Sequence, residues 1–163
     1  MNSIEISNFK NFGHLKINNL GLVNLIVGQN NSGKSTLLEA ISLLASGANI
    51  GWIKNLLELR GISFDLSNTV EETEMLELEN LCTLYHNYDY ELFKNDPIKI
   101  ISKIEHADSW EENSVEIRLV ELVRVIETTE DNLKIPRYII RNSKNEQIID
   151  DSEVTLGLQV SFN

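Results

Sequence analysis

Residues 28 to 35 read Gly-Gln-Asn-Asn-Ser-Gly-Lys-Ser, and no other stretch constrains the chain as tightly. Before it lies the apolar run Leu22-Val23-Asn24-Leu25-Ile26-Val27, with the composition of a short strand buried on both faces. After it, Leu37, Leu38, Ile41, Leu44 and Ala45 recur with helical spacing. The period of the apolar residues therefore changes across Gly28 to Lys34. That change predicts a strand over 22–27, a tight loop, and a helix over 34–45 that stops at Gly47.

The loop has the spacing G-x-x-x-x-G-K-[ST], the Walker A pattern, with Thr36 directly after it. Each fixed residue has a physical task. Gly28 and Gly33 permit backbone torsions that a side chain would forbid, so successive N–H groups can turn inward. Those donors, with the positive end of the following helix, favour a polyphosphate. Lys34 would reach the β- and γ-phosphates, the Ser35 hydroxyl would bind the Mg²⁺ that bridges them, and Thr36 could donate to the α-phosphate. The candidate nucleotide-binding residues are thus Gly28, Asn30, Asn31, Ser32, Gly33, Lys34, Ser35 and Thr36, with Ser35 as metal ligand and ATP with Mg²⁺ as the expected ligand. Chance alone yields the pattern in roughly one chain of this length in a few hundred.

Other elements follow from local pattern. "SIEISNF" alternates Ile4 and Ile6 as a strand, and Leu15 and Ile17 alternate after Gly13, so a hairpin is expected. "IGWIKNLLELRG" reads as a short helix with a turn at Gly61. Residues 70–93 carry Met75, Leu76, Leu78, Leu81, Leu84 and Tyr85 at helical spacing until Asp96-Pro97 breaks the chain. Beyond it, "IKIISKI", "PRYIIR", "EQIID" and "EVTLGLQVSF" read as strands, with a turn at 142–145. "SVEIRLVELVRVIE" fits strand or helix. The expected class is α/β, divided as a P-loop core over 1–60, an acidic helical insert over 61–96 and a β-rich segment over 97–163.

Charge and composition narrow the function classes. Of 14 basic and 25 acidic residues, the first 60 positions hold five and three, leaving nine against 22 for the rest. No Lys or Arg lies between Gly61 and Phe93, so that acidic stretch would repel a phosphate backbone. Its acids Glu71, Glu72, Glu74, Glu77 and Glu79 read as a solvated helix surface. A single cysteine, Cys82, excludes an internal disulfide. No apolar run approaches the ~18 residues of a membrane span, and the N-terminus lacks a signal-peptide pattern. A cytoplasmic protein without membrane contact is expected. His14, His86 and His106 have no metal-ligand spacing, and no G-x-S-x-G or Cys–His arrangement suggests a nucleophile.

The stretch from Ile4 to Leu44, with Asn8-Phe9-Lys10-Asn11-Phe12 as its turn and "GQNNSGKSTLLEAISLL" as its loop and helix, resembles the start of ABC-type ATPase heads of the RecF, SMC and OLD (overcoming lysogenization defect) group. The Gly28 to Lys34 form looks closest to OLD-like ATPases, many of which carry a nuclease domain. The resemblance implies a P-loop NTPase of ABC type that dimerises or assembles further through its heads. It implies DNA repair or anti-phage defence as the setting, a possible nuclease or effector partner, and DNA contact only through the full assembly. It also places Lys10 near the base and sugar of the nucleotide, because the first hairpin folds over the site.

Beyond Leu44 the resemblance fades. Such heads need an LSGG-like motif and a Walker B strand ending in Asp-Glu. No LSGG-like stretch occurs, and the nearest Walker B candidate, Gln147-Ile148-Ile149-Asp150-Asp151, has only two apolar residues before its acids. Gln159 sits inside an alternating strand and is a weak candidate for the Mg²⁺-contacting glutamine. No catalytic residue is assigned, and the chain is expected to be the first part of a longer head. Two other classes stand beside this reading: a non-hydrolysing nucleotide-binding scaffold for partner proteins, and a small P-loop kinase or GTPase. The kinase is disfavoured by the strand-turn-strand ahead of the loop, and the GTPase by the missing N-K-x-D motif.

Overall fold

The computed structural model describes residues 1–62, 80–129, 131–141 and 154–163. They divide into two compact units, one of residues 1–118 with 160–163 and the other of residues 119–159.

The first unit is built on an antiparallel sheet. β1 (Ser3–Phe9) and β2 (Phe12–Ile17) form the expected hairpin, with Ile4 opposite Ile17 and Ile6 opposite Leu15. On its other edge β1 pairs with β3 (Ile98–Glu105), which in turn pairs with the first part of β4 (Trp110–Thr128). The order β2-β1-β3-β4 joins residues more than 90 positions apart, such as Ile6 and Ile100. Alternation in β1 buries Ile4 and Ile6, and then Asn8 breaks it. Asn8 takes a left-handed φ of 58° and drops out of the pairing register, so Phe9 rather than Asn8 turns into the core. Ile98, Ile100, Val115 and Ile117 complete that buried face.

Two helices pack with the sheet. α1 (Lys34–Ala45) lies where the spacing predicts it, but the face it buries is Thr36, Leu37, Ala40, Leu43 and Leu44. Leu38 is exposed, as is Ala45. The small residues Thr36 and Ala40 face inward because α1 lies close against β1 and β3. The helix ends in a Schellman motif: Ala48 N–H donates to the Leu43 carbonyl and Gly47 N–H to that of Leu44, with Gly47 at φ 60°. α2 (Ile50–Glu58) is capped by the Asn49 side chain, buries Ile53, Leu56 and Leu57, and closes at Gly61 with φ 78°.

Two sequence expectations change here, and one open reading is resolved. Residues 22–27 form no strand; they run as irregular chain, and Leu22, Val23, Leu25 and Val27 are almost fully exposed. A strand buried on both faces needs a hydrogen-bonded neighbour on each side, and the described strands pair among themselves without it. The helix expected over 70–93 is not continuous. Residues 63–79 lie outside the described residues, and from Thr83 to Asp89 the chain leaves the helix before α3 (Tyr90–Asn95). Tyr85 instead bridges Phe9 of the hairpin and stacks on Phe93, with ring centroids 4.8 Å apart. The ambiguous "SVEIRLVELVRVIE" lies wholly within β4. The strand "EQIID", the turn at 142–145, the Walker B candidate and the acidic cluster lie outside the described residues.

The second unit holds the remainder of β4 paired antiparallel with β5 (Lys134–Ile140), Leu122 opposite Ile140 and Thr128 opposite Lys134. β6 (Val154–Phe162) pairs with β4. Within the second unit, Gly157 packs on Leu122 so closely that a Cβ would lie 2.5 Å from a Leu122 methyl. Within the first, Ser114 and Asn163 exchange both backbone hydrogen bonds. Among the described residues no helix is long and apolar enough to cross a membrane.

Candidate functional site

The hairpin turn, the glycine loop and the start of α1 meet at one cavity of about 850 Å³ in the first unit. The loop is locked to the hairpin at Gly33. That residue is buried at φ 93°, and a Cβ there would lie 2.7 Å from the Phe12 ring and 3.1 Å from the Asn11 amide nitrogen. Gly28 is constrained from within the loop, since a Cβ would lie 2.6 Å from Ser32 Oγ. Asn31 takes a left-handed φ of 61°, and Ser32 N–H closes a turn on the Gln29 carbonyl at 3.3 Å.

Gly33 is also the N-cap of α1, and no side chain caps the helix there. Leu37 N–H is the one that reaches back to the Gly33 carbonyl, at 2.9 Å. The first-turn N–H groups of Lys34, Ser35 and Thr36 stand at the cavity, where the helix dipole favours an anion. Lys34 Nζ donates to the Gly28 and Gln29 carbonyls at 2.9 and 2.5 Å, so its charge is folded back over the loop. A phosphate in the loop would compete with those two carbonyls for the ammonium. Ser35 is exposed, whereas Thr36 is buried although it borders the cavity.

Of the expected site residues, Lys10, Asn30, Asn31, Gly33, Lys34, Ser35 and Thr36 all line this cavity. Gly28 and Ser32 shape the loop behind it. Lys10 is held differently from the simplest expectation. Its Nζ makes an ion pair with Glu39 at 2.7 Å, and Arg60 meets the other Glu39 oxygen at 2.6 Å. Burial pushes the Lys10 ammonium below the ordinary lysine range, and its hydrogen bond to Glu39 opposes that shift. Lys10 itself takes φ 52°, which turns its N–H to the Leu84 carbonyl and its carbonyl to His86 Nδ1, 2.7 Å away.

Sequence reasoning missed the wall formed by Asn11, Arg60, Thr83, His86, Asn87 and Tyr88. Helical spacing across 70–93 hid the break after Thr83, and the His86–Lys10 contact spans 76 residues. The one usable signal was Lys10 itself: a lysine buried in a hairpin turn requires a carboxylate partner, and Glu39 supplies it. The other histidines are peripheral. His14 lies 3.9 Å from Glu5 and His106 3.8 Å from Glu111, both exposed. Cys82 is buried. Gln159 is exposed on β6.

Although the whole chain carries a net charge of −11, the described cavity lining includes Lys10, Lys34 and Arg60 and no carboxylate. No group of three His, Cys, Asp or Glu suited to a metal occurs among the described residues. Ser35, exposed at the cavity, has a hydroxyl of the kind that serves a Mg²⁺ held on phosphate oxygens.

Residues 1–158 match the AAA ATPase domain family. The chain belongs to that family. It is a family of ATPases, so the resemblance to RecF/SMC/OLD-type heads is borne out, and membership implies nucleotide binding. Three relatives share shorter segments. An ATP/GTP phosphatase of Helicobacter pylori is 47% identical over 57 residues, which cover 35% of this chain and 15% of the relative. An uncharacterized protein of Methanocaldococcus jannaschii is 48% identical over 44 residues, 27% of this chain and 20% of its own length. The DNA replication and repair protein RecF of Heliobacterium modesticaldum is 40% identical over 47 residues, 29% of this chain and 13% of the relative. The matched segments thus span no more than a fifth of any of these relatives.

Proposed function

We propose that this chain is the ATP-binding part of an ABC-type P-loop head, in which ATP with Mg²⁺ binds at Gly28 to Thr36. The observation that carries the reading is the uncapped N-terminus of α1 opening, beside Lys34, on a cavity whose described lining has three cations and no carboxylate. A polyphosphate would gain the first-turn N–H groups and the Lys34 ammonium together, and Ser35 would hold its Mg²⁺. The names of the H. pylori and H. modesticaldum relatives support nucleotide turnover and work on DNA in the complete protein. There, ATP binding or hydrolysis would drive DNA repair or anti-phage defence through a dimer or larger assembly, with a nuclease or another effector as partner.

The decisive experiment is isothermal titration of Mg-ATP into the wild type and Lys34→Ala. Removing a contact between a charged donor and phosphate costs about 1.5–3 kcal/mol, so the mutant should bind roughly ten- to a hundred-fold more weakly. Equal affinities would place the phosphates elsewhere. The absence of a carboxylate from the described lining favours one second reading, a non-hydrolysing scaffold that uses ATP as a structural ligand.

A further inference from the structure

We propose that residues Thr83 to Tyr88 form the nucleobase wall of this site and that the Tyr88 ring stacks on the base. The inference rests on the nucleotide reading of the cavity above. It begins with an unusual backbone: Asn87 and Tyr88 stand consecutively in the left-handed region, at φ 60° and 57°. Asparagine tolerates that region, but a bulky aromatic residue does not enter it without strain. Nothing in the core rewards the conformation, because Tyr88 is 68% exposed. Its effect is to set an aromatic ring on the rim of the cavity that holds the glycine loop.

The segment is also fastened to the loop's own support. Tyr85 bridges Phe9, Leu84 accepts from Lys10 N–H at 2.9 Å, and His86 Nδ1 lies 2.7 Å from the Lys10 carbonyl. The His86 ring packs over Gly13, where a Cβ would approach Nε2 to 3.2 Å. Tyr88 is therefore tied, through the hairpin, to the same turn that Gly33 abuts.

The lining offers different chemistries. Lys34 and the α1 N-terminus suit phosphates. Within the 83–88 segment, Thr83, Asn87 and Tyr88 offer a hydroxyl, an amide and an aromatic face beside His86. A cavity of about 850 Å³ lies within the size range of sites that enclose whole small molecules. A base stacked on Tyr88, with Asn87 at its polar edge, would use these groups. Stacking tolerates either purine, since each has a π-face.

The test uses Tyr88→Gly and Tyr88→Phe, with Mg-ATP, Mg-GTP and Mg-tripolyphosphate as titrants. Glycine occupies positive φ without strain, so Tyr88→Gly removes the ring while leaving the fold at least as stable, which a thermal melt verifies. Truncating a stacking aromatic costs on the order of five- to a hundred-fold in affinity. The expected result is that loss for ATP and GTP with Tyr88→Gly, unchanged tripolyphosphate binding, and wild-type behaviour for Tyr88→Phe. Unchanged nucleotide affinity in Tyr88→Gly overturns the inference. Equal weakening of tripolyphosphate also overturns it, since the ring would then act on the loop and not on a base. Lys34→Ala separates the two levels: it weakens all three titrants if the phosphate site is right. No effect of Lys34→Ala, or no binding by the wild type, defeats the nucleotide reading and this inference with it.

Discussion

Gly33 carries two constraints at once: a φ of 93° that side chains rarely adopt, and a Phe12 ring 2.7 Å from where a Cβ would be. Gly61 carries only the first, with φ 78° and nothing within 4 Å. Alanine at either position meets the left-handed penalty of about 1–2 kcal/mol. At Gly33 it also drives a methyl into an aromatic ring in the buried joint between hairpin and loop, adding roughly 1–3 kcal/mol. Urea unfolding should therefore find Gly33→Ala distinctly less stable than Gly61→Ala, and only Gly33→Ala should lose nucleotide affinity. Equal destabilisation would mean that the hairpin yields freely to the methyl. This is also the scale at which the sequence was most legible. The identities of Gly28, Gly33, Lys34 and Ser35 are dictated by local geometry and ligand chemistry, so a spacing pattern carries them. Glu39 and Tyr88 were not legible, because their roles depend on contacts across folded distance. Glu39 reads as an ordinary helix-surface acid until Lys10 and Arg60 are seen on its two oxygens.

At the level of elements, period-two and helical patterns placed β1, β2, α1, α2, β3, β5 and β6; in β1, β3, α1 and α2 a buried face writes that period into the chain. The pattern failed for 22–27, whose continuous apolar run specifies a strand only when neighbours exist to pair with it. It failed again after Thr83, where spacing of three and four persisted although Leu84 and Tyr85 bury themselves against the hairpin. Tyr85 gives that packing a pH signature. Burial, with the nearby Asp96 and Asp89 charges, pushes its phenol up to about 12. In the unfolded chain it titrates near 10. Between those values the unfolded chain has released a proton that the folded chain keeps, so stability present below pH ~10 is lost as the pH rises towards about 12. The drop should approach roughly 2–3 kcal/mol and should be missing from Tyr85→Phe. Denaturant titrations on either side of pH ~10 would show it. Parallel curves for mutant and wild type would mean that the ring opens to solvent.

For the molecule as a whole, the question is whether binding ATP leads to turnover. Phosphoryl transfer draws its rate from charge stabilisation and from a water held in line with the γ-phosphate. On the proposed reading, Lys34, the α1 N-terminus and Ser35 would supply the first. For the second the cavity offers little among the described residues: no carboxylate lines it, and Glu39 just behind is committed to Lys10 and Arg60. His86 already has one ring nitrogen engaged with the Lys10 carbonyl. A net charge of −11 likewise leaves the chain poorly suited to hold a duplex alone. The expected behaviour of these 163 residues is to bind ATP and stall, with turnover arising in an assembly that brings a water-positioning acid and closes over the γ-phosphate. A steady-state phosphate-release assay checks this, with Lys34→Ala as the blank. Release at the level of the blank is the expected result. Lys34-dependent turnover would show that this chain carries its own acid, and Asp150→Asn and Asp151→Asn would then identify whether it lies in that pair.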